Sequence, residues 1–294
     1  MPDQKSPKPG GTQPGASARS PLRAPGRVKE VTSAANPLVK DIRALAQKKH
    51  REETGLFLVE GLKLVVDGLD AGWELSTLVI AKAAAGNQML EKTAARAVAS
   101  GADVIEASAK VLEAITRRDN PQNAAGVFRR RLAPLASLVP AAGNVTVVLD
   151  RVRDPGNLGT VLRTADAAGA AGLVLVGDTV DPFSLETVRA TMGSIFAVPI
   201  ARAREAEFLA WRKDFRGLVV GTHMRGVTDY RTPDYAGQPV LLVMGNEQAG
   251  LSDPMADACD LLVRIPQAGR ADSLNLAVAT GIMLFEVRRK ALSL

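Results

Sequence analysis

The second half of the chain carries five short apolar runs: VTVVLD (145–150), LVLVGD (173–178), GLVVGTH (217–223), PVLLVMG (239–245) and LLVRIP (261–266). None alternates apolar with polar residues. A strand with one wet face alternates, whereas a strand covered on both faces does not. Continuous runs separated by helical stretches therefore predict an α/β fold with a mostly parallel sheet between layers of helices. The last helix is expected from about Ser273 to Lys290, with Arg288, Arg289 and Lys290 suiting its negative end.

The rest of the 294 residues divides by composition. Ten of residues 1–29 are Pro or Gly, and large apolar residues are almost absent. Such a segment buries too little surface to offset its ordering entropy and reads as a disordered basic tail. Residues 30–131 read as a small α/β domain. Its first helix begins in a Ser33/Asn36 capping region with Pro37 in the first turn. Leu38, Ile42, Leu45 and Ala46 follow at helical spacing, and Gly55 ends it. Strands at 56–61, 76–81 and 124–130 and helices at 62–69, 83–100 and 108–116 complete the expected pattern. Residues 132–143 hold two prolines and no clear period, and read as a linker. The second domain spans 144–294.

Charge is uneven. Residues 1–29 carry six Lys or Arg against one acid, 30–131 fifteen against thirteen, and 132–294 sixteen against seventeen. The net +6 thus sits in the tail and the front domain, where a polyanion would be held. One Cys (Cys259) and two His (His50, His223) are too few for a common zinc ligand set. The single Cys allows no intramolecular disulfide and fits a reducing compartment. No run of 18 apolar residues predicts a membrane span, and no apolar N-terminal stretch predicts secretion. Dinucleotide, phosphate-loop and nucleophile-elbow glycine motifs are all missing, which removes the main support for hydride transfer, nucleotide hydrolysis and serine hydrolase chemistry.

Three loops follow strands, where open α/β sheets bind ligands. In LDRVRDPGNLGTVLRTADAAGA (149–170), Leu158, Val161, Leu162, Ala165 and Ala168 share one helical face, with Arg163 roughly opposite. Asn157 stands at the expected N-cap. In LLVMGNEQAGLS (241–252), Gly245 and Gly250 bracket a turn, and Asn246 and Glu247 directly follow a buried strand. In RIPQAGRADSLNLAVATGI (264–282), Asp272 or Ser273 is the expected cap, and Ser273 and Asn275 fall in the first turn, where unpaired N–H groups face any ligand. Taken singly, each loop reads equally as a helix cap, an ordinary turn or a solvated charge. Cys259, just before a strand, reads as a core residue.

Together and in this order, NLGTVLR (Asn157 to Arg163), MGNEQAGLS and IPQAGRADSLN resemble the SpoU/TrmH branch of the SPOUT RNA ribose 2′-O-methyltransferases. RATMGSIFAVPI (189–200) resembles that family's connecting segment. SAANPLVK and GLFLVEG resemble the ribosomal-protein-like α/β module often fused in front, which binds RNA substrate. The resemblance implies a C-terminal trefoil-knotted parallel-sheet domain, an α/β knot, although chain knots are rare. It also implies a homodimer formed through that domain, a cytoplasmic enzyme, S-adenosylmethionine as cofactor and no metal.

Carried over by position, Thr222, Gly245, Ile265 and Leu274 line the cofactor pocket, largely through backbone groups. Asn157, Arg163, Glu247, Ser273 and Asn275 form the catalytic surface. The implied reaction is attack of a ribose 2′-OH on an activated methyl group, so the protein has mainly to position reactants and stabilise charge. Arg163 is either an activating base in an unusual environment or, since guanidinium is a poor base, a cation that holds phosphate and steadies the developing alkoxide. A 2′-OH acceptor selects RNA over DNA. Ribosomal RNA is the first expectation and transfer RNA the second. The rival reading keeps the scaffold as a non-catalytic RNA-binding or ribosome-assembly factor.

Overall fold

The computed structural model describes residues 24–270 and 272–293. The front unit runs β1 (Val28–Val31), α1 (Pro37–Ala44), α2 (Lys48–Thr54), β2 (Leu56–Glu60), α3 (Leu62–Asp70), β3 (Leu75–Ala81), α4 (Gln88–Ala99), β4 (Asp103–Ala107), α5 (Ala109–Thr116) and β5 (Ala124–Arg129). Its five strands lie in the order β1-β4-β3-β5-β2. The β4 strand pairs parallel with β1 and β3, while β5 pairs antiparallel with β3 and β2.

Three expectations for this unit need correction. Val28 and Lys29, read as the end of the tail, belong to edge strand β1. Tertiary contacts hold them there: Arg27 N–H donates to Asp103 Oδ1 and Lys29 Nζ to Asp103 Oδ2, at 2.9 and 3.0 Å. Residues 1–23 of the expected tail lie outside the described residues. The single helix expected from Pro37 to Gly55 is two, α1 and α2, because the Arg51 guanidinium takes the Leu45 carbonyl (2.7 Å) at the break. Asn36 does cap α1, and Gly55 ends α2 in the left-handed conformation, φ 68°. The helix expected at 83–100 shortens to α4, which is capped by Asn87 after the left-handed Gly86.

The second unit contains β6 (Val145–Asp150), α6 (Pro155–Ala167), β7 (Gly172–Val176), α7 (Leu185–Thr191), β8 (Ile200–Ala203), α8 (Glu205–Arg212), β9 (Leu218–Thr222), β10 (Thr228–Asp229), β11 (Val240–Met244), α9 (Asp253–Asp257), β12 (Leu261–Arg264) and α10 (Leu276–Arg288). The strands form one sheet in the order β10-β12-β9-β11-β6-β7-β8, and every pairing is parallel. The apolar runs do bury both faces. Val147 and Leu149 of β6 pack with Leu158 and Leu162 of α6 and Met283 and Leu284 of α10. Val148 faces the other way, toward Phe208 of α8 and Met255 of α9. Along the chain, strands spread from β6 through β7 to β8, then β9 starts the opposite half. The switch in direction lies beside β6, where α/β sheets open a crevice at the carboxyl ends of their strands.

The linker lies against the second unit: Leu138 is buried, its carbonyl accepts from Thr146 Oγ1 (2.9 Å), and Ala133 N–H donates to the Ile200 carbonyl (2.8 Å). The two units share an aromatic core. Phe57 lies 4.9 Å from Phe183, and Phe128 lies 5.1 Å from Phe196, centroid to centroid. Beside it, Arg51 pairs with Asp181 at 2.8 Å, with both side chains only 3% exposed. Glu60 receives Arg189 at 2.9 Å. These contacts reach the site through α7, which rests on α6 at Gly159: a Cβ there would lie 2.3 Å from the Ala190 Cβ. Stripping a buried charge of its partner costs about 3–5 kcal/mol. Arg51→Met or Asp181→Asn should therefore lower stability by about that much in urea unfolding, and Arg51→Met with Asp181→Leu by clearly less.

Candidate active site

Each of the three loops identified in the sequence leaves the carboxyl end of a strand on the same edge of the sheet. After β6, Asp154 caps α6 by accepting from Asn157 N–H (2.6 Å), with Pro155 in the first turn. Asn157 was expected as the cap; Asp154 takes that place, since Pro155 needs no donor there and its fixed φ suits the first position. Asn157 moves into the first turn, and its side-chain amide is free for other work. Before α10, the cap is Asn275 rather than Asp272 or Ser273: its Oδ1 accepts from Ala277 and Val278 N–H, and the helix starts at Leu276.

After β11, residues 246–250 close on themselves. The Asn246 and Gly250 backbones exchange two hydrogen bonds of 3.0 Å, with Gly250 at φ 68°. Asn246 Oδ1 accepts from Gln248 and Ala249 N–H. This puts Glu247 at the near side of a tight turn.

The loops meet through side chains. Asn157 Nδ2 donates to Glu247 Oε1 at 3.0 Å, and Asn275 Nδ2 donates to Asn157 Oδ1 at 2.8 Å. Residues 90 and 118 positions away from Asn157 thus converge on one amide. Next to them opens a cleft of about 480 Å³, within the usual range of small-molecule sites, about 300–1,000 Å³. Thr222, Gly245, Ile265 and Leu274 all line it, as do Glu247 and Ser273. Arg163 is not brought into this group. It lies exposed, two turns along α6, and its side chain forms no hydrogen bond or ion pair among the described residues.

Sequence reasoning passed over His223, which lines the cleft directly after Thr222. Its Nδ1 accepts Arg225 N–H at 3.0 Å, so the neutral ring carries its proton on Nε2. Burial, and then the Arg225 charge, hold this imidazole below its ordinary 6.5. Its place at the end of the run GLVVGTH was the available signal. Cys259 packs against Gly221, with its thiol pushed up to about 12 by burial, as suits an inert core residue. Among the described residues, no cluster of three or more His, Cys, Asp or Glu could hold a metal. No described helix is long and apolar enough to cross a membrane.

A cleft at the carboxyl edge of a parallel sheet, with amide and carboxylate groups from three loops beside it, is the place where α/β folds bind small molecules. Comparison with known proteins gives its class. The SpoU rRNA Methylase family matches residues 144–285, and the MRM3-like substrate binding domain matches 36–126. A 23S rRNA (guanosine(2553)-2′-O)-methyltransferase of Bacillus subtilis is 32% identical over 89% of this chain and 100% of its own length. A 23S rRNA (uridine(2479)-2′-O)-methyltransferase of Streptomyces viridochromogenes is 31% identical over 85% of this chain and 88% of its own. The crystal structure of an AdoMet-bound rRNA methyltransferase from Sinorhizobium meliloti superposes with a TM-score of 0.86. It is 60% identical and covers 90% of this chain and 99% of its own. The chain belongs to the SpoU/TrmH family of RNA ribose 2′-O-methyltransferases, whose methyl donor is S-adenosylmethionine.

The cleft fits that donor. Its volume suits a nucleoside with an amino-acid arm, and Met244, Ile265, Leu274 and Leu276 offer apolar surface beside the polar Thr222. Gly245 lies so close to the turn that a Cβ would sit 2.3 Å from Gly250 C and Leu251 N. Gly245→Ala should therefore push residues 250–251 outward. We expect S-adenosylmethionine affinity to fall by at least about tenfold in calorimetric titration, with circular dichroism unchanged.

Proposed function

We propose that this protein transfers a methyl group from S-adenosylmethionine to a ribose 2′-OH in large-subunit ribosomal RNA, acting in the cytoplasm as a homodimer with a knotted C-terminal domain. The observation that carries the reading is the chain of hydrogen bonds Glu247–Asn157–Asn275 beside the cleft. The curated relatives named above act on 23S ribosomal RNA, which favours that substrate over transfer RNA. The front domain's excess positive charge and the fixed docking of that domain favour a large folded RNA.

The knot has support in the path of the chain. After β12, at the far side of β9, the chain turns back past the β9 and β11 loops, and α10 packs on α6 and β11. The dimer has support in α10, where Val278 and Phe285 are about half exposed and lie about two turns apart on one side. Gly281, between them, faces Thr164, the neighbour of Arg163. A second protomer on that face would cover apolar surface and take in the otherwise unpartnered Arg163.

When bound, S-adenosylmethionine supplies an electrophilic methyl carbon that needs no metal. Thr222, Gly245 and Ile265 at the strand ends, with Leu274 just before α10, would hold the donor. Asn157 and Asn275, fixed by each other, orient the ribose through amide hydrogen bonds, and Ser273 contributes a hydroxyl at the rim. Glu247 orders the Asn157 amide rather than taking a proton. Arg163 grips the adjacent phosphate and stabilises negative charge as the 2′-oxygen attacks, the role that suits a guanidinium.

Incubating the protein with ribosomal RNA and methyl-labelled S-adenosylmethionine, then digesting to nucleosides, should place the label on a 2′-O-methylribose. Arg163→Ala should lose at least about 100-fold in rate, as expected for an electrostatic stabiliser, with donor affinity unchanged. Label on a base, or donor-independent RNA binding without transfer, contradicts the proposal.

A further inference from the structure

Arg151 occupies a left-handed backbone conformation, φ 54°, where glycine is favoured. A strained non-glycine residue persists only where its surroundings over-determine it. Here they do. Arg151 Nε and Nη2 each reach the Asp150 carboxylate at 3.0 Å, and that carboxylate is fully buried at the end of β6. A third donor to it is Ser252 N–H, at 2.9 Å. Arg151 Nη2 also reaches the Gly250 carbonyl at 3.3 Å. From the other side, Asn246 Nδ2 donates to the Arg151 carbonyl at 2.8 Å. One residue therefore holds both ends of the 246–250 turn, and six residues further on the same strand exit delivers Asn157. Arg151 itself is not among the groups lining the cleft.

We propose that Arg151 is a positioning residue for methyl transfer: its guanidinium and carbonyl clasp residues 246–250 to the end of β6, so that Glu247 and Asn157 stand at hydrogen-bonding distance before any ligand arrives. The strained backbone turns the Arg151 carbonyl toward Asn246 while its side chain folds back over Asp150. Both contacts matter, because the turn is short and, beside its own hydrogen bonds, is tied by the Asn157–Glu247 bond that the clasp serves to align. The proposal rests on the methyltransferase reading for its consequence, but the clasp is a property of the protein without ligand.

Arg151→Gly separates positioning from mere stability, since glycine relieves the backbone strain while removing the guanidinium. In the full-length protein without donor, we expect exchange with deuterium at amides 246–250 to rise at least about tenfold more than in the rest of the sheet. The thermal midpoint should fall, because the buried Asp150 carboxylate loses its guanidinium partner, so positioning is read from the excess exchange at 246–250 over that of the sheet. S-adenosylmethionine affinity should fall by about tenfold, and kcat with RNA by more than KM for RNA changes. Arg151→Lys, which keeps the charge but not the fork, should recover part of each loss. Unchanged exchange at 246–250 would overturn the proposal. So would exchange that rises by the same factor at 246–250 and across the sheet, which would assign Arg151 to stability alone. A parent protein that binds no donor, yet whose turn still loosens on Arg151→Gly, would leave the clasp standing and the proposed function failed.

Discussion

The arrangement depends on one side-chain amide. Asn157 accepts through Oδ1 from Asn275 and donates through Nδ2 to Glu247. An amide has distinct ends, so turning it over would set donor against donor at Asn275 and acceptor against acceptor at Glu247. Three loops, each an ordinary strand-to-helix connection by itself, are thereby held in a single relation. Asn275 adds a second constraint, because its Oδ1 is already committed to capping α10. Only its Nδ2 remains to face Asn157, so the start of the last helix and the start of α6 are fixed together. Pre-set polar groups of this kind lower the reorganisation needed when charge develops.

The same site is tied mechanically to the front domain. The aromatic core of Phe57, Phe128, Phe183 and Phe196 and the buried Arg51–Asp181 pair join the front sheet to the segment around α7. In turn, α7 lies on α6 at Gly159, two residues after Asn157. A substituent at Gly159 would push these helices apart, so the glycine in NLGTVLR serves helix packing as much as any ligand. The front domain, which carries a small positive excess, and the domain that carries the cleft are thus held in fixed relation across an apolar interface.

Much of this was legible in the residues. Continuous apolar runs announced a parallel sheet covered on both faces, since burial leaves no room for alternation. Thr222, Gly245, Ile265 and Leu274 were placed on one cleft by the family resemblance; that strand ends of a parallel sheet share an edge accounts for the first three, while Leu274 stands just before α10. The helix caps were less legible. Asp154 and Asn275 won over Asn157, Asp272 and Ser273 because capping depends on where the chain enters the helix, which local residue type does not reveal. Edge strand β1 was missed because Val31 is its only buried residue and its pairing partner lies more than 70 positions away. The split between α1 and α2 rests on the long reach of Arg51 back to Leu45, and helical periodicity carries no trace of it. His223 followed a recognised strand, but a single histidine carries no pattern. Arg163 was singled out by its motif, yet its exposed position within one chain could not be read from spacing.

The central claim is that the three segments act as one unit in transfer. A double-mutant cycle on kcat/KM with ribosomal RNA tests it directly, using Asn157→Ala, Asn275→Ala and the double variant. If the amide chain works as a unit, the double variant should lose no more than the worse single variant, a coupling of about 1–3 kcal/mol. Losses that multiply across the two substitutions would show that Asn157 and Asn275 act independently, and would contradict the account.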